Sequence, residues 1–398
     1  MEFLHIIPPF GRVCYELLKS IEMKQLEGEH KALVLVSDKL IHKKNPALLR
    51  YSFIEYVNKG KGWLANIRYK SGLKKRLREA DAIFVHGLNY LGTGIMEIFC
   101  KNEDISKKLI WVSNGLDVKN WSVTGKKREK EHQNKLNREL RTRIPVVCAV
   151  SAANLPTLEE MWPGKTYFET PYPIPEGWGE MADENLAAKK AMGVPEEKLR
   201  LATQVEKHER KCAATHTYIQ CGLNYRVDNH QNLAFGLLKR FNVYKKTVFM
   251  PVAYEIEEIL ASTNPVEKRL LELKKKPVKG IEKILLKKPV PAGTYFRFMK
   301  QMDVAMLGNS YAIAPIYPLL LLRSGVKVYL PRGTNEYIYL KKMGASIYAW
   351  EEISGMDYKE FLQIDDDYAF PENLKWYFDS NAVAARWNDV VKHVESRE

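Results

Sequence analysis

The chemistry this chain can do stands at the ends of its apolar runs. In Phe84-Val85-His86-Gly87-Leu88-Asn89 an apolar run ends in histidine, and a glycine then turns the chain. That order puts the imidazole of His86 at the carboxyl edge of a sheet, where doubly wound folds bind ligands. A neutral imidazole there can take a proton from a hydroxyl or donate to a phosphate. A histidine packed at the sheet edge and bonded to backbone leaves the same trace. Trp111-Val112-Ser113-Asn114-Gly115-Leu116-Asp117 ends a second run. Asp117 can serve there as a base, as a hydroxyl-binding group, or only as a helix N-cap.

The C-terminal half repeats the pattern. Gly222-Leu223-Asn224-Tyr225-Arg226-Val227-Asp228-Asn229-His230 joins an apolar run to a helical one. Free N–H groups at a helix start can cradle phosphate, and Asp228 or Asn229 would cap the turn in either case. Met250 to Glu255 and Gly308 to Tyr317 are further strand-end loops, the second running into a proline-initiated helix. No GxGxxG and no GxxxxGK[ST] occurs, Val123 to Lys127 lacking the first glycine and the hydroxyl. No HExxH, metal cluster or Asp-x-Asp-like loop stands out either; Asp303 reads as strand-initiating and Asp365-Asp366-Asp367 as a surface turn. The expectation is therefore no cofactor and no bound metal.

These residues need elements to hold them. Strand patterns fall at Phe3–Ile7, Ala32–Val36, Ala82–His86, Leu109–Ser113 and Val146–Val150. Helix-like stretches such as Cys14–Met23, Gly72–Arg78 and Ile95–Cys100 lie between them. Near-continuous apolar strands alternating with helices predict a parallel sheet covered on both faces. Residues 171–211 are poor in strand formers and read as a linker. The alternation restarts with His216–Cys221, Thr247–Pro251, Lys283–Leu286, Val304–Leu307, Val326–Leu330 and Ser346–Ala349. Helices are expected at His230–Phe241, Glu255–Leu260, Val266–Lys275, Thr294–Gln301, Pro315–Ser324 and Glu336–Lys342, and a last one closes the chain at about Ser380–Glu395. At 398 residues the chain is long enough for two such α/β domains.

Lys and Arg number 62 against 48 Asp and Glu, a net charge of +14 that suits an anionic partner. The charge gathers in Lys59–Arg78, with no acid in the span, and in Lys119–Arg143, where nine basic residues meet three glutamates. With Trp63, Tyr69 and Trp121 interspersed, these read as a face for anionic lipid headgroups or as solvated helix. No RNP, KH or helix-turn-helix signature points to nucleic acid. The longest apolar run near the C-terminus, Ala312–Leu322, is about half of the ~20 residues a spanning helix needs. Five cysteines without CxxC spacing predict a reducing, cytoplasmic setting without disulfides.

From residue 82 to 350 the order of motifs resembles glycosyltransferase family 56, the N-acetylfucosaminyltransferases that add the third sugar of enterobacterial common antigen. The residues that carry the resemblance are VHGLN at 85–89, LIWVSNGLD at 109–117, Gly222 with Asn229, MPVAY at 250–254, Tyr295, Lys300-Gln301-x-Asp303 and Ser324-Gly325-Val326. The loops IIPPFG and Ala312-Ile313-Ala314-Pro315-Ile316 depart from the family pattern. The resemblance implies a GT-B glycosyltransferase: two Rossmann-like doubly wound domains facing a cleft, an acceptor domain over 1–195, a donor domain over 196–378, and a helix from 379 to 398 crossing back. It implies a nucleotide-diphosphate sugar moved to a lipid-linked or other saccharide at the inner face of the cytoplasmic membrane, without metal; an acetamido-dideoxyhexose is the family's sugar, which the resemblance does not fix. Gly222, Asn224 and Asn229 would lie near phosphate, and Tyr254, Tyr295, Ser310 and Ser324 around nucleotide or sugar. Asn89 and Asn114 would meet the acceptor, with His86 or Asp117 as base. An epimerase of the same architecture and a non-catalytic polysaccharide-assembly protein are the alternatives.

Overall fold

Short runs of β-branched and aromatic residues, each too apolar to face water on either side, build two parallel sheets. The structure is a computed structural model; it describes residues 1–7, 15–36, 51–58, 63–118, 127–175, 177–191, 217–222, 231–251, 278–286, 299, 301–308, 316–364 and 368–397. Of these, residues 1–175 and 376–397 form one unit, and those from Gly177 to Lys375 form a second.

The first sheet holds β1 (Glu2–Ile7), β2 (Glu29–Val36), β3 (Ile54–Asn58), β4 (Ala82–His86), β5 (Leu109–Ser113), β6 (Val146–Ala149) and β7 (Thr166–Glu169). Their order is β3-β2-β1-β4-β5-β6-β7, all pairs parallel. Alternate residues feed opposite faces. Phe3, Ile7, Phe84, Val112 and Cys148 point to one core, covered by Leu17, Leu18 and Ile21 of helix Tyr15–Glu22 and by Val383, Trp387 and Val390 of helix Ser380–Glu395. Leu4, Ile6, Ile83, Val85 and Trp111 point to the other, covered by helices Trp63–Glu79, Thr93–Lys101 and Lys127–Arg143. The C-terminal helix starts where Asp379 caps Asn381 N at 2.9 Å, and its Trp387 Nε1 donates to Pro171 O at 2.9 Å.

The second sheet holds β8 (Thr217–Cys221), β9 (Lys246–Pro251), β10 (Ile281–Leu286), β11 (Val304–Met306), β12 (Lys327–Leu330) and β13 (Ile347–Ala349). Its order is β10-β9-β8-β11-β12-β13, again parallel throughout. Both orders are the Rossmann order. Strand direction of travel reverses between β1 and β4 in one sheet and between β8 and β11 in the other, the two positions at which such sheets open a ligand crevice.

Two differences from the sequence reading have a physical basis. Strands β3 and β7 escape it because each ends a sheet; the residues of β7 are all only half-buried, so its pattern is weakly apolar. Helix Trp178–Ala191 falls inside the expected linker and before the 195/196 boundary, yet it belongs to the second unit. There Arg323, 11% exposed, grips Asp183 with two bonds of 2.7 and 2.6 Å. Helices expected at Glu255–Leu260 and Val266–Lys275, and the Asp365–Asp367 turn, lie outside the described residues.

Candidate functional site

His86 is the last residue of β4, on the carboxyl edge next to the β1/β4 reversal. Gly87 follows at φ 85°, where a Cβ would strike Tyr90 and the Asn114 amide, so only glycine makes this turn. The imidazole is 3% exposed and both its nitrogens are engaged. Nε2 lies 3.0 Å from His5 Nδ1, and Nδ1 lies 2.7 Å from the Tyr172 hydroxyl. His5 Nε2 in turn lies 2.9 Å from His30 Nδ1, and His30 Nε2 lies 2.8 Å from the Glu27 carbonyl. Trp387 stacks over both His86 and Tyr172, and Phe84 over His5. Burial holds His86 down to about 3, and holds His5 and His30 below the ordinary imidazole range. The three rings are therefore neutral at pH 7.

His5, His30 and Tyr172 were not singled out in the sequence. A signal existed: each histidine interrupts an apolar run, and in the order β2-β1-β4 those runs are neighbours. His5 pairs with Ala32 and Phe84 across the ladders, and Phe3 with His30, so all three rings share one face.

Asp117 sits on the opposite face and is fully buried. Its Oδ1 accepts from Asn89 N at 3.0 Å and its Oδ2 from Trp111 Nε1 at 3.0 Å, while its own N–H bonds to Asn114 O at 3.0 Å. Arg141, also fully buried, lies over the Trp111 ring at 4.7 Å and donates to Asn137 Oδ1 at 2.6 Å and Asn89 Oδ1 at 3.3 Å. Burial pushes Asp117 up and Arg141 down to about 10, and each charge draws the other back. This network ties helix Lys127–Arg143 to the loops after β4 and β5. Asn89, expected at the acceptor, is spent inside it, its Oδ1 also accepting from Asn137 at 2.9 Å. Asn114 is half-buried, and its Oδ1 accepts from Asp117 N at 3.3 Å. Asp117 thus has its oxygens turned into the protein, and among the described residues Tyr172 is the half-buried partner through which His86 faces outward.

In the second unit Gly222 stands at the β8/β11 reversal with φ 80°, and its N–H donates to Met306 O at 2.8 Å. Asn224, Asn229, Tyr254, Tyr295 and Ser310 lie outside the described residues. Ser324 was expected around nucleotide or sugar. It is fully buried and precedes β12, so it belongs to the amino edge of a parallel sheet, away from a carboxyl-edge crevice. Asp303 bonds Tyr218 N through Oδ2 at 3.0 Å and pins the start of β11 to β8. A group the sequence did not signal is Glu336, just beyond the carboxyl end of β12. It is buried, its Oε2 has no hydrogen-bond partner among the described residues, and burial pushes its carboxyl up to about 8.

The basic segments are less bare than their composition. Arg76 pairs with Glu55, Arg78 with Asp104 at 2.7 Å, Lys75 with Glu79 at 3.7 Å and Arg143 with Glu139 at 2.6 Å, and Arg141 is internal. Lys59, Lys61 and Trp121 lie outside the described residues. Among the described residues no helix is long and apolar enough to cross a membrane.

Solved structures share this fold. The chain aligns over 99% of its length, and 100% of the other's, with HepE of Anabaena in complex with UDP-glucose, at TM-score 0.61 and 9% identity. It aligns with the lipopolysaccharide outer core galactosyltransferase WaaB at TM-score 0.59 and 10% identity, covering 99% of each chain. A glycosyltransferase of Rickettsia africae gives TM-score 0.58 and 11% identity over 100% of this chain and 99% of that one. The fold is GT-B. The likeness is one of fold and does not single out family 56. No protein-family model matches the sequence, and neither does any curated protein.

Proposed function

We propose that the protein is a glycosyltransferase that moves a sugar from a nucleotide-diphosphate donor to a saccharide acceptor. The observation that carries this reading is the pair of Rossmann-order sheets whose whole-chain fold is that of the GT-B glycosyltransferases. The donor is assigned to the second unit, around Gly222 at the β8/β11 reversal, and the acceptor to the first. The motif resemblance supports an acetamido-dideoxyhexose as the sugar and a lipid-linked saccharide as the acceptor. The one Asp-x-Asp in the sequence, Asp365 to Asp367, reads as a surface turn, so helix N-termini, backbone N–H groups and cations are assigned to the leaving diphosphate.

A nucleoside diphosphate at 100 times its Kd stabilises the native state by about 2.7 kcal/mol. A thermal-shift screen of UDP, GDP, dTDP and CDP should therefore raise the melting temperature for one base, and EDTA should leave that shift in place. Loss of the shift in EDTA would transfer the diphosphate to a metal site; no shift with any base would remove the reading.

A lipid-linked acceptor brings the first unit to a bilayer, and the exposed basic residues of helix Trp63–Glu79 are the proposed contact, Lys75 being 77% exposed. Attraction to anionic lipid amounts to about 1 kcal/mol per basic residue near the surface and is screened by salt. The protein should sediment with anionic vesicles at low salt and not with neutral ones, and reversing Lys74, Lys75 and Arg76 should release it. Equal sedimentation with both vesicle types, or with neither, would favour a soluble acceptor.

A further inference from the structure

The line of rings from Glu27 to Tyr172 has only one allowed polarity. A carbonyl oxygen can only accept, so His30 carries its proton on Nε2 and donates to Glu27 O. A neutral His30 then has an unprotonated Nδ1, which must accept from His5 Nε2–H. The same step repeats: His5 Nδ1 accepts from His86 Nε2–H, and His86 Nδ1 must accept from the Tyr172 hydroxyl. One backbone carbonyl thus fixes four protons in a row. Whatever else approaches the Tyr172 oxygen has to approach as a donor, because the hydroxyl's own proton is committed inward.

Tyr172 follows β7 and is half-buried, three residues past the strand's carboxyl end, while the histidines behind it are buried. It is therefore the outer end of the wire, on the sheet edge where ligands bind. We propose that Tyr172 is the residue that receives the acceptor hydroxyl, and that the wire of His86, His5 and His30 is the base behind it. This rests on the transferase reading above. As the acceptor oxygen bonds to the sugar's anomeric carbon, the bond from that carbon to the diphosphate oxygen breaks, and its electron pair leaves with the diphosphate. The acceptor's proton passes to the Tyr172 oxygen as the Tyr172 proton passes to His86 Nδ1. The Nε2 protons of His86 and His5 move on in the same sense, to His5 Nδ1 and His30 Nδ1. The positive charge then rests on His30, the ring whose outer N–H is held by a carbonyl. The excess proton then returns by the reverse shifts and leaves from the Tyr172 oxygen to the departing diphosphate, which restores each ring to Nε2–H.

The test joins a variant with a measurement that needs no substrate. Tyr172→Phe keeps the ring that stacks on His86 and Trp387 and removes only the oxygen. Turnover, read as nucleoside diphosphate release with the best donor from a panel of UDP-, GDP- and dTDP-sugars, should fall by roughly 100-fold or more, the scale of a lost general base. Nucleoside diphosphate affinity should stay within about twofold. In the unsubstituted protein, imidazole ¹⁵N NMR at pH 7.5 should show the three wire histidines, assigned through His5→Gln, His30→Gln and His86→Gln, each protonated at Nε2 and bare at Nδ1. Turnover of Tyr172→Phe within about threefold of the parent would overturn the proposal. So would any of the three found as the Nδ1–H tautomer or as imidazolium. The transferase reading is judged separately, on nucleotide binding by the parent protein, which the tautomers do not affect.

Discussion

Replacing Arg141 by leucine should destabilise the protein by about 3–5 kcal/mol, the range found when one member of a buried charge pair is removed. The substitution leaves the fully buried Asp117 without its compensating charge and takes a donor from Asn89 Oδ1 and Asn137 Oδ1. It also removes the cation over Trp111. Urea unfolding followed by tryptophan fluorescence measures the loss. The double variant Asp117→Leu/Arg141→Leu should cost less than the sum of the two single variants, because each charge is costly chiefly when the other is gone. An Arg141→Leu protein within about 1 kcal/mol of the parent would show that the network carries no stability. The same experiment separates the two readings of Asp117: a carboxylate that holds loops together lowers stability when lost, whereas a catalytic base lowers the rate per folded molecule.

Acid should unfold the first unit well before carboxylates in general are protonated. His5, His30 and His86 have folded-state pKa values depressed by burial, His86 to about 3, against 6.5 when exposed. Above pH 6.5 both states are neutral at these rings and their packing is fully available. Below 6.5 the unfolded chain takes up protons that the folded wire binds only at lower pH, so stability falls as pH drops through the window from 6.5 toward 3. Below about pH 6 a histidine held neutral in the fold, as His86 is, contributes about 1.4 kcal/mol per pH unit, and His5 and His30 add to the slope in the same direction. Against a total stability of about 5–15 kcal/mol, the urea midpoint should decline steeply between pH 6.5 and 5, and His5→Gln should flatten the slope by about one proton. A midpoint unchanged from pH 7.5 to 5 would mean that the rings are charged or solvated in the folded protein.

The sheets were legible because parallel strands buried on both faces must be apolar along their whole length. FLHII, AIFVH and LIWVS, for example, cannot be read otherwise. Edge strands β3 and β7 bury less and left a weaker trace. The position of His86 was also legible, since a strand that ends in His-Gly has to present both at the sheet edge. What its nitrogens touch was not, because His5, His30 and Tyr172 lie 81, 56 and 86 residues away in sequence. Strand order brings the first two to it, and the chain beyond the edge strand β7 brings Tyr172. Asp117 shows the limit of reading a site by residue type. A carboxylate after a strand looks like a base, and the residue types do not show that both its oxygens are taken by Asn89 N and Trp111 Nε1. Composition also hid the partners of two of the basic residues, since Glu55 and Asp104, from outside the helix, pair with Arg76 and Arg78.

The central claim is sugar transfer from a nucleotide-diphosphate donor. Its most direct measurement is mass spectrometry of polyprenyl-pyrophosphate-linked and free saccharide acceptors incubated with the protein and a panel of UDP-, GDP- and dTDP-sugars in EDTA. The account predicts that one acceptor gains the mass of one sugar residue as an equal amount of nucleoside diphosphate appears. Nucleoside diphosphate bound but no acceptor gaining mass, or free sugar epimerised in its place, would contradict it.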